Sequence, residues 1–252
     1  MTEPRTEPLI TLVSTRTVDT FPAAGSRGAY EQPGGPANYM GAAFERLGCP
    51  YRLITAETAR VDVLLDPDGE QYIIPPLPLI PLPDRLEGAA TVLSPIMREI
   101  DPERLPPVDG LLVVDLQGFV REPLRPSKAP GPKVDLTELL QRASAVKGED
   151  AELRRLTDSS LAAIRHTTLI LTRGARGAII RRGEREDLIP ARRVTVDHAV
   201  GAGDTFLAAF VWSLVHSGDP VQAGHDAARF TEGILRERMQ ARANFRASGA
   251  GS

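Results

Sequence analysis

The residues best suited to chemistry stand in Gly201-Ala202-Gly203-Asp204-Thr205-Phe206, directly before an apolar run that continues to Val215. Small residues let a ligand approach the backbone closely. The N–H groups at a helix start, with the helix dipole, favour an anion there. Asp204 is then either a helix N-cap, the commonest task for aspartate at such a place, or a carboxylate that accepts a proton from a substrate hydroxyl. A simple cap needs none of the flanking glycines. For the second role a carboxylate near its ordinary pKa of about 4 suffices if proton transfer is late.

Three further groups have the right composition. Gly34-Gly35-Pro36-Ala37-Asn38 opens a helical pattern, and an asparagine amide, a poor helix former, can both donate to and accept from a hydroxyl-rich ligand. Thr172-Arg173-Gly174-Ala175-Arg176-Gly177 follows an apolar strand, where ligands of open α/β sheets bind; the alternative is a glycine-rich hairpin turn. It lacks the Gly-Lys-Ser/Thr ending of a Walker A loop. Glu149, Asp150 and Glu152 follow a strand pattern ending at Lys147. They either compensate a helix dipole or organise a magnesium ion, which takes few carboxylates and several waters.

The elements that must position these groups can be read from hydrophobic spacing. Leu9–Val13, Tyr51–Thr55, Thr91–Ser94, Leu111–Asp115, Ser144–Lys147, Thr168–Thr172 and Gly177–Arg181 read as strands. Pro36–Leu47, Glu149–Leu156, Asp204–Ser217 and Val221 to about Arg238 read as helices, Gly48 closing the first. Asn244–Ser252, small and polar, is expected to fray. Alternating strands and helices predict an α/β fold with a mainly parallel sheet covered on both faces. Val61–Leu65 and Gln71–Ile74 flank the turn residues Asp66-Pro67-Asp68-Gly69, which predicts a hairpin and hence a small β appendage. Five prolines between Pro75 and Pro83 exclude a central strand or helix interior there. That stretch is either an extended connection to the main body or a polyproline ligand.

With 252 residues, 42 % apolar and 25 % charged, the chain suits one large α/β domain. A net charge of −3 gives no general attraction to nucleic acid or anionic membrane. Cys49 is the only cysteine, so an intrachain disulfide and a cysteine-rich metal site are excluded. No stretch reads as a signal peptide or a membrane span, which predicts a cytoplasmic protein.

Taken in order, these motifs resemble the ribokinase-like (PfkB) carbohydrate kinases. Gly34-Gly35-Pro36-Ala37-Asn38 through Leu47-Gly48 is similar to their N-terminal signature, and Gly201-Ala202-Gly203-Asp204 through Ala208-Ala209-Phe210 to their C-terminal one. Thr172 to Gly177 is similar to their nucleotide loop, and the resemblance spans most of residues 9 to 238. It implies a three-layer α/β/α domain over residues 1–252, with a small β lid from about 15–33 and 58–83. It also implies ATP and Mg2+ as cofactors and phosphoryl transfer to a sugar or polyol. A nucleoside or inositol acceptor, or a ligand sensor without turnover, are the other readings. Asp204 would be the general base, and Gly201, Ala202 and Gly203 an anion hole. Thr172, Gly174, Gly177 and Lys147 would hold the nucleotide. Asp19, Gly34, Gly35 and Asn38 would hold the acceptor, and Glu152 with Glu149 the metal. The lid is also expected to form a homodimer contact.

The chain departs from the family pattern in three places. Glu149 replaces the usual Asn of Asn-x-x-Glu. His198 replaces the usual Asp six residues before the base, with Asp197 displaced by one, at the family's monovalent-cation site. The segment after Tyr51 lacks a helix and loop that larger members carry.

Overall fold

The computed structural model of the protein describes residues 9–23, 28–66, 69–127, 129–192, 194 and 199–249. The main sheet is built, from one edge to the other, of β12 (Arg185–Ile189), β11 (Ala178–Arg182), β10 (Thr168–Thr172), β9 (Ala145–Gly148), β8 (Leu111–Asp115), β7 (Ala90–Ser94), β1 (Ile10–Ser14) and β4 (Tyr51–Ile54). All neighbours from β10 to β4 are parallel, whereas β11 and β12 add antiparallel. The central strands are apolar almost throughout because both faces are covered. Ile10, Leu12 and Val113 pack on the face bearing α1 (Gly35–Arg46), α6 (Ala202–Ser217) and α7 (Pro220–Gly249). Val13, Leu112 and Val114 pack on the opposite face with Leu139 and Leu140 of α3 (Thr137–Arg142) and Ile164 of α5 (Asp158–Ile164). This is the expected three-layer α/β/α arrangement.

A second sheet, ordered β3 (Tyr30–Gly34), β2 (Thr17–Phe21), β5 (Ala59–Asp66) and β6 (Gly69–Ile73), stands beside the first. Pro33 is tolerated in β3 because that strand lies at the edge, where a missing N–H breaks no inner ladder. Phe21, Val61, Val63 and Ile74 of this sheet region pack against Ile96, Met97 and Val200 of the main body. The chain crosses between the sheets through Thr15–Arg16, at Gly34–Gly35, through residues 55–58 and through residues 74–89. The proline-rich stretch is an extended connection: Ile80 is buried in the main body and its N–H donates to the Glu99 carbonyl at 2.7 Å.

Several expectations change. The helix expected over Glu149–Leu156 is one turn, α4 (Asp150–Leu153), followed by the separate α5, whose Thr157 side chain caps it by accepting from Ser160 N–H. α3 holds only two buried residues, Leu139 and Leu140, too few to show a period. β12 carries three charged residues because it is an edge strand. α7 continues to Gly249, so Asn244–Gly249 is helical where fraying was expected. Cys49 is buried. Among the described residues no helix is long and apolar enough to cross a membrane.

Candidate active site

The loop before α6 is shaped by Gly201, the helix N-cap, whose φ of 78° lies in the left-handed region. A Cβ there would also lie 2.4 Å from the Tyr39 ring. Asp204 is therefore the third residue of the helix, not its cap, and its carboxylate is left for another task. The Ala202 N–H is engaged with the Ala199 carbonyl at 2.9 Å, and Thr205 N–H with Gly201 at 2.9 Å. The N–H groups of Gly203 and Asp204 are the ones left in the first turn for an anion.

Asp204 lies at the C-terminal end of the parallel strands, among charges supplied by β8 and β9. Its Oδ1 accepts from Gln117 Nε2 at 3.3 Å. Gln117 opens α2 (Gln117–Val120), just past Asp115 at the end of β8. The Lys147 ammonium, at the end of β9, donates to both Asp115 oxygens at 3.0 and 3.1 Å. It also sits 3.6 Å from where a Gly203 side chain would begin. Ser94 Oγ donates to Asp115 Oδ2 at 3.0 Å. Burial alone would discharge Lys147, but Asp115, Glu152 and Asp204 outweigh it and hold the ammonium protonated.

Burial is also the largest influence on Asp204. It raises the pKa to about 6, against the lowering effect of Lys147, Arg121 and the Gln117 hydrogen bond, with Asp115 adding to the rise. The carboxylate is half-buried at a cavity wall, ringed by protein atoms. The expectation of an ordinary pKa near 4 thus gives way to a base poised closer to neutrality. Glu152 is pushed up to about 7 by burial, opposed chiefly by Lys147. Its Oε2 accepts from Glu149 N–H at 2.8 Å, the reach-back half of a capping box on α4. Among the described residues no three acidic, histidine or cysteine groups converge to cage a metal. A magnesium ion here would rest on phosphate oxygens and water, with Glu152, whose charge also acts on Lys147, as the protein carboxylate offered to its water shell.

Two cavities meet at the loop. The smaller, about 40 Å³, lies between the two sheets; Gly201 and Asp204 line it, with Asp19, Tyr39, Tyr72 and Arg121. Asp19 is fully buried on β2, accepts from Thr17 Oγ1 at 2.5 Å and from the Tyr39 hydroxyl at 3.5 Å, and is raised above the usual carboxylate range by burial. Gly34 on the neighbouring strand has no side chain because the Asp19 carboxyl occupies that space: a Cβ would lie 2.0 Å from it. Gly35 lines the cavity too, whereas Asn38 does not. The Asn38 amide donates to the carbonyls of Gly34 (2.5 Å) and Thr17 (3.4 Å), bracing the turn that carries the glycines.

The larger cavity, about 180 Å³, is lined by Thr172, Gly174, Gly177, Ala202 and Gly203, with Phe206 and Leu235 among its apolar walls. Among the described residues the buried Thr231 hydroxyl there has no partner, and a mainly apolar slot with a few polar groups, Thr172, Arg192, Thr231 and Glu232, suits a nucleobase. Gly177 (φ 88°) is pressed so closely on the Ile189 carbonyl that a side chain would lie 2.1 Å from it. Of the sequence-selected residues, Asp19, Gly35, Gly201 and Asp204 line the smaller cavity and Thr172, Gly174, Gly177, Ala202 and Gly203 the larger, whereas Gly34, Asn38, Lys147, Glu149 and Glu152 line neither. Asp197 and His198 lie outside the described residues. Asp115, Gln117, Arg121, Tyr39 and Tyr72 were missed. The signal available for Asp115 was a charge at the carboxyl end of a buried strand.

The family model of the pfkB family carbohydrate kinases matches residues 115–232, from Asp115 through Asp204 to α7. A search of curated proteins gives no match. Among solved structures, a pyrophosphate-dependent kinase of the ribokinase family, complexed with a pyrophosphate analog and myo-inositol, is 18 % identical, with a TM-score of 0.69 over 92 % of this chain and 99 % of its own. Ribokinase of Arabidopsis thaliana, complexed with ribose and ATP, is 15 % identical, with a TM-score of 0.64 over 90 % of this chain and 92 % of its own. Aminoimidazole riboside kinase of Salmonella enterica is 21 % identical, with a TM-score of 0.62 over 89 % and 92 %. The chain accordingly has the ribokinase fold, and its residues 115–232 match the model of the pfkB family carbohydrate kinases.

Proposed function

We propose that the protein is an ATP-dependent kinase that phosphorylates an alcohol group of a sugar or related polyol. One observation carries this reading: the glycine loop is a shared wall, with Gly201 and Asp204 facing the cavity that holds Asp19, and Ala202 and Gly203 facing the apolar pocket. That is the layout for passing a phosphoryl group from a nucleotide on one side to a hydroxyl on the other. Asp19 and Thr17 orient the acceptor, while Asp204 takes the hydroxyl proton. The acceptor oxygen bonds to the γ-phosphorus, the bond from that phosphorus to the bridging oxygen breaks, and ADP leaves with the electron pair. The Gly203 and Asp204 N–H groups and the Lys147 ammonium offset charge on the phosphates, and bound magnesium adds Lewis-acid neutralisation. The second sheet acts as a lid, contributing Thr17, Asp19, Val61 and Tyr72 to the acceptor cavity.

The apolar lining and the unpartnered Thr231 hydroxyl favour a nucleotide over pyrophosphate as donor. Incubating the protein with magnesium and either ATP or pyrophosphate, against sugars, inositols and nucleosides, tests both partners. ADP release with a hydroxylated acceptor is the expected result. Tight binding of an acceptor with no turnover by either donor would favour a ligand sensor.

A further inference from the structure

Arg121 borders the acceptor cavity, and the scheme above gives it no task. Its guanidinium is fixed at two points by neutral groups: Nη1 donates to the Ile96 carbonyl at 3.4 Å and Nη2 to Gln117 Oε1 at 3.1 Å. It lies over the Tyr72 ring, 5.2 Å from the centroid. Among the described residues no carboxylate pairs with it. The adjacent Glu122 carboxylate is taken by Arg98 and Arg155. Lys147, on the other flank of the loop, is matched by Asp115 at 3.0 Å. Arg121 therefore brings to the site a cation held in place by neutral acceptors, with N–H groups left over for an anionic ligand.

Two anions are available: a charged acceptor, or the phosphoryl group itself. The cavity already holds Asp19 and Asp204, so a charged acceptor would face two carboxylates for one guanidinium. Arg121 lines the smaller cavity together with Gly201 and Asp204 of the glycine loop, whose Ala202 and Gly203 line the larger one. Gln117 ties it there, since its Oε1 accepts from Arg121 while its Nε2 donates to Asp204 at 3.3 Å.

We propose that Arg121 is a catalytic residue whose remaining N–H groups hold the phosphoryl group in flight between the two cavities, with Gln117 as the positioning residue that aims it. The guanidinium neutralises charge on the equatorial oxygens and exchanges no proton. This rests on the kinase reading, and the two can fail separately.

The test is calorimetric binding of magnesium–ADP with and without aluminium fluoride, which mimics the phosphoryl group in transit. Wild type should bind the fluoride complex about a hundredfold more tightly than ADP alone. Arg121→Gln should lose about tenfold or more of that increment, keep ADP affinity within about twofold, and melt at an unchanged temperature. Arg121→Lys, which retains the charge but not the fork, should recover part of it. An undiminished increment in Arg121→Gln overturns the proposal, as does an equal loss for ADP alone. So would glucuronate binding where glucose does not, abolished by Arg121→Gln, because the guanidinium would then serve an acceptor carboxylate. Absence of magnesium–ADP binding to wild type would instead overturn the kinase reading, and this inference with it.

Discussion

In the role proposed for it, Asp204 couples catalysis to stability with opposite signs. As a base it must be ionised, so kcat/KM should rise with pH through about 6 and then level off. Its pKa in the folded protein lies above the unfolded value of 3.8, so the native state holds the proton more tightly between about 4 and 6. Stability therefore falls as pH rises through that window and stays lower above it. Asp204→Asn should lose nearly all turnover, retain nucleotide binding, and melt at a higher temperature than wild type at pH 8. The difference in melting temperature should vanish below pH 4. Retention of turnover within tenfold would return Asp204 to a purely structural place in α6. Glu152, pushed up to about 7, titrates nearby, so the rate profile belongs to a coupled set. In Glu152→Gln the limb near 6 should persist, while the magnesium concentration for half-maximal rate rises. An unchanged magnesium curve would reduce Glu149 and Glu152 to their capping box.

At the scale of elements, β2, β3 and α1 pack as one unit, the acceptor side of the proposed site, because the Asp19 carboxyl fills the place of a Gly34 side chain. Gly34 itself has an ordinary extended φ of −145°, so Gly34→Ala strains no backbone. It should displace the Asp19 carboxylate from Thr17, raise the acceptor KM by about tenfold, and leave the ATP KM unchanged, the loss of one or two hydrogen bonds in a desolvated pocket being about 1–3 kcal/mol. Asn38→Ala removes a brace on the Gly34 and Thr17 carbonyls, and its acceptor KM should move less than that of Gly34→Ala. Steady-state kinetics with both substrates decides this; equal damage to the two KM values would refute a divided site. The same elements show what the sequence could reveal. The glycine-bordered start of α6 and the strand before Thr172 carry their chemistry in contiguous residues, so they were legible. Arg121 and Tyr72 are 49 positions apart by number and meet only where the second sheet packs on the first. Gln117 gains its meaning from Asp204, 87 residues on. α3 and α5 were invisible because one or two turns hold too few apolar residues for a period.

For the whole molecule, the second sheet has edge strands β3 and β6, and a sheet of this size leaves its edges to be covered. Pairing of two copies through this sheet would cover one edge. Sedimentation at micromolar concentration should then show a dimer; a strict monomer would remove the dimer and leave the lid. The connections between the sheets have a mechanical consequence. A flap on a single hinge swings wide, but this sheet is tethered at four places, one of them the direct Gly34–Gly35 link and another only Thr15–Arg16. Its travel is limited to a shallow rotation. Asp19 and Tyr72 ride on it, so the wall of the smaller cavity would move with that rotation. The larger cavity is walled entirely by residues between Thr172 and Leu235 and takes no wall from the second sheet. The two cavities thus differ in kind, one set wholly in the main body and one with a wall on a short chain. Donor exchange should be fast and indifferent to the acceptor, while acceptor exchange is paced by the sheet.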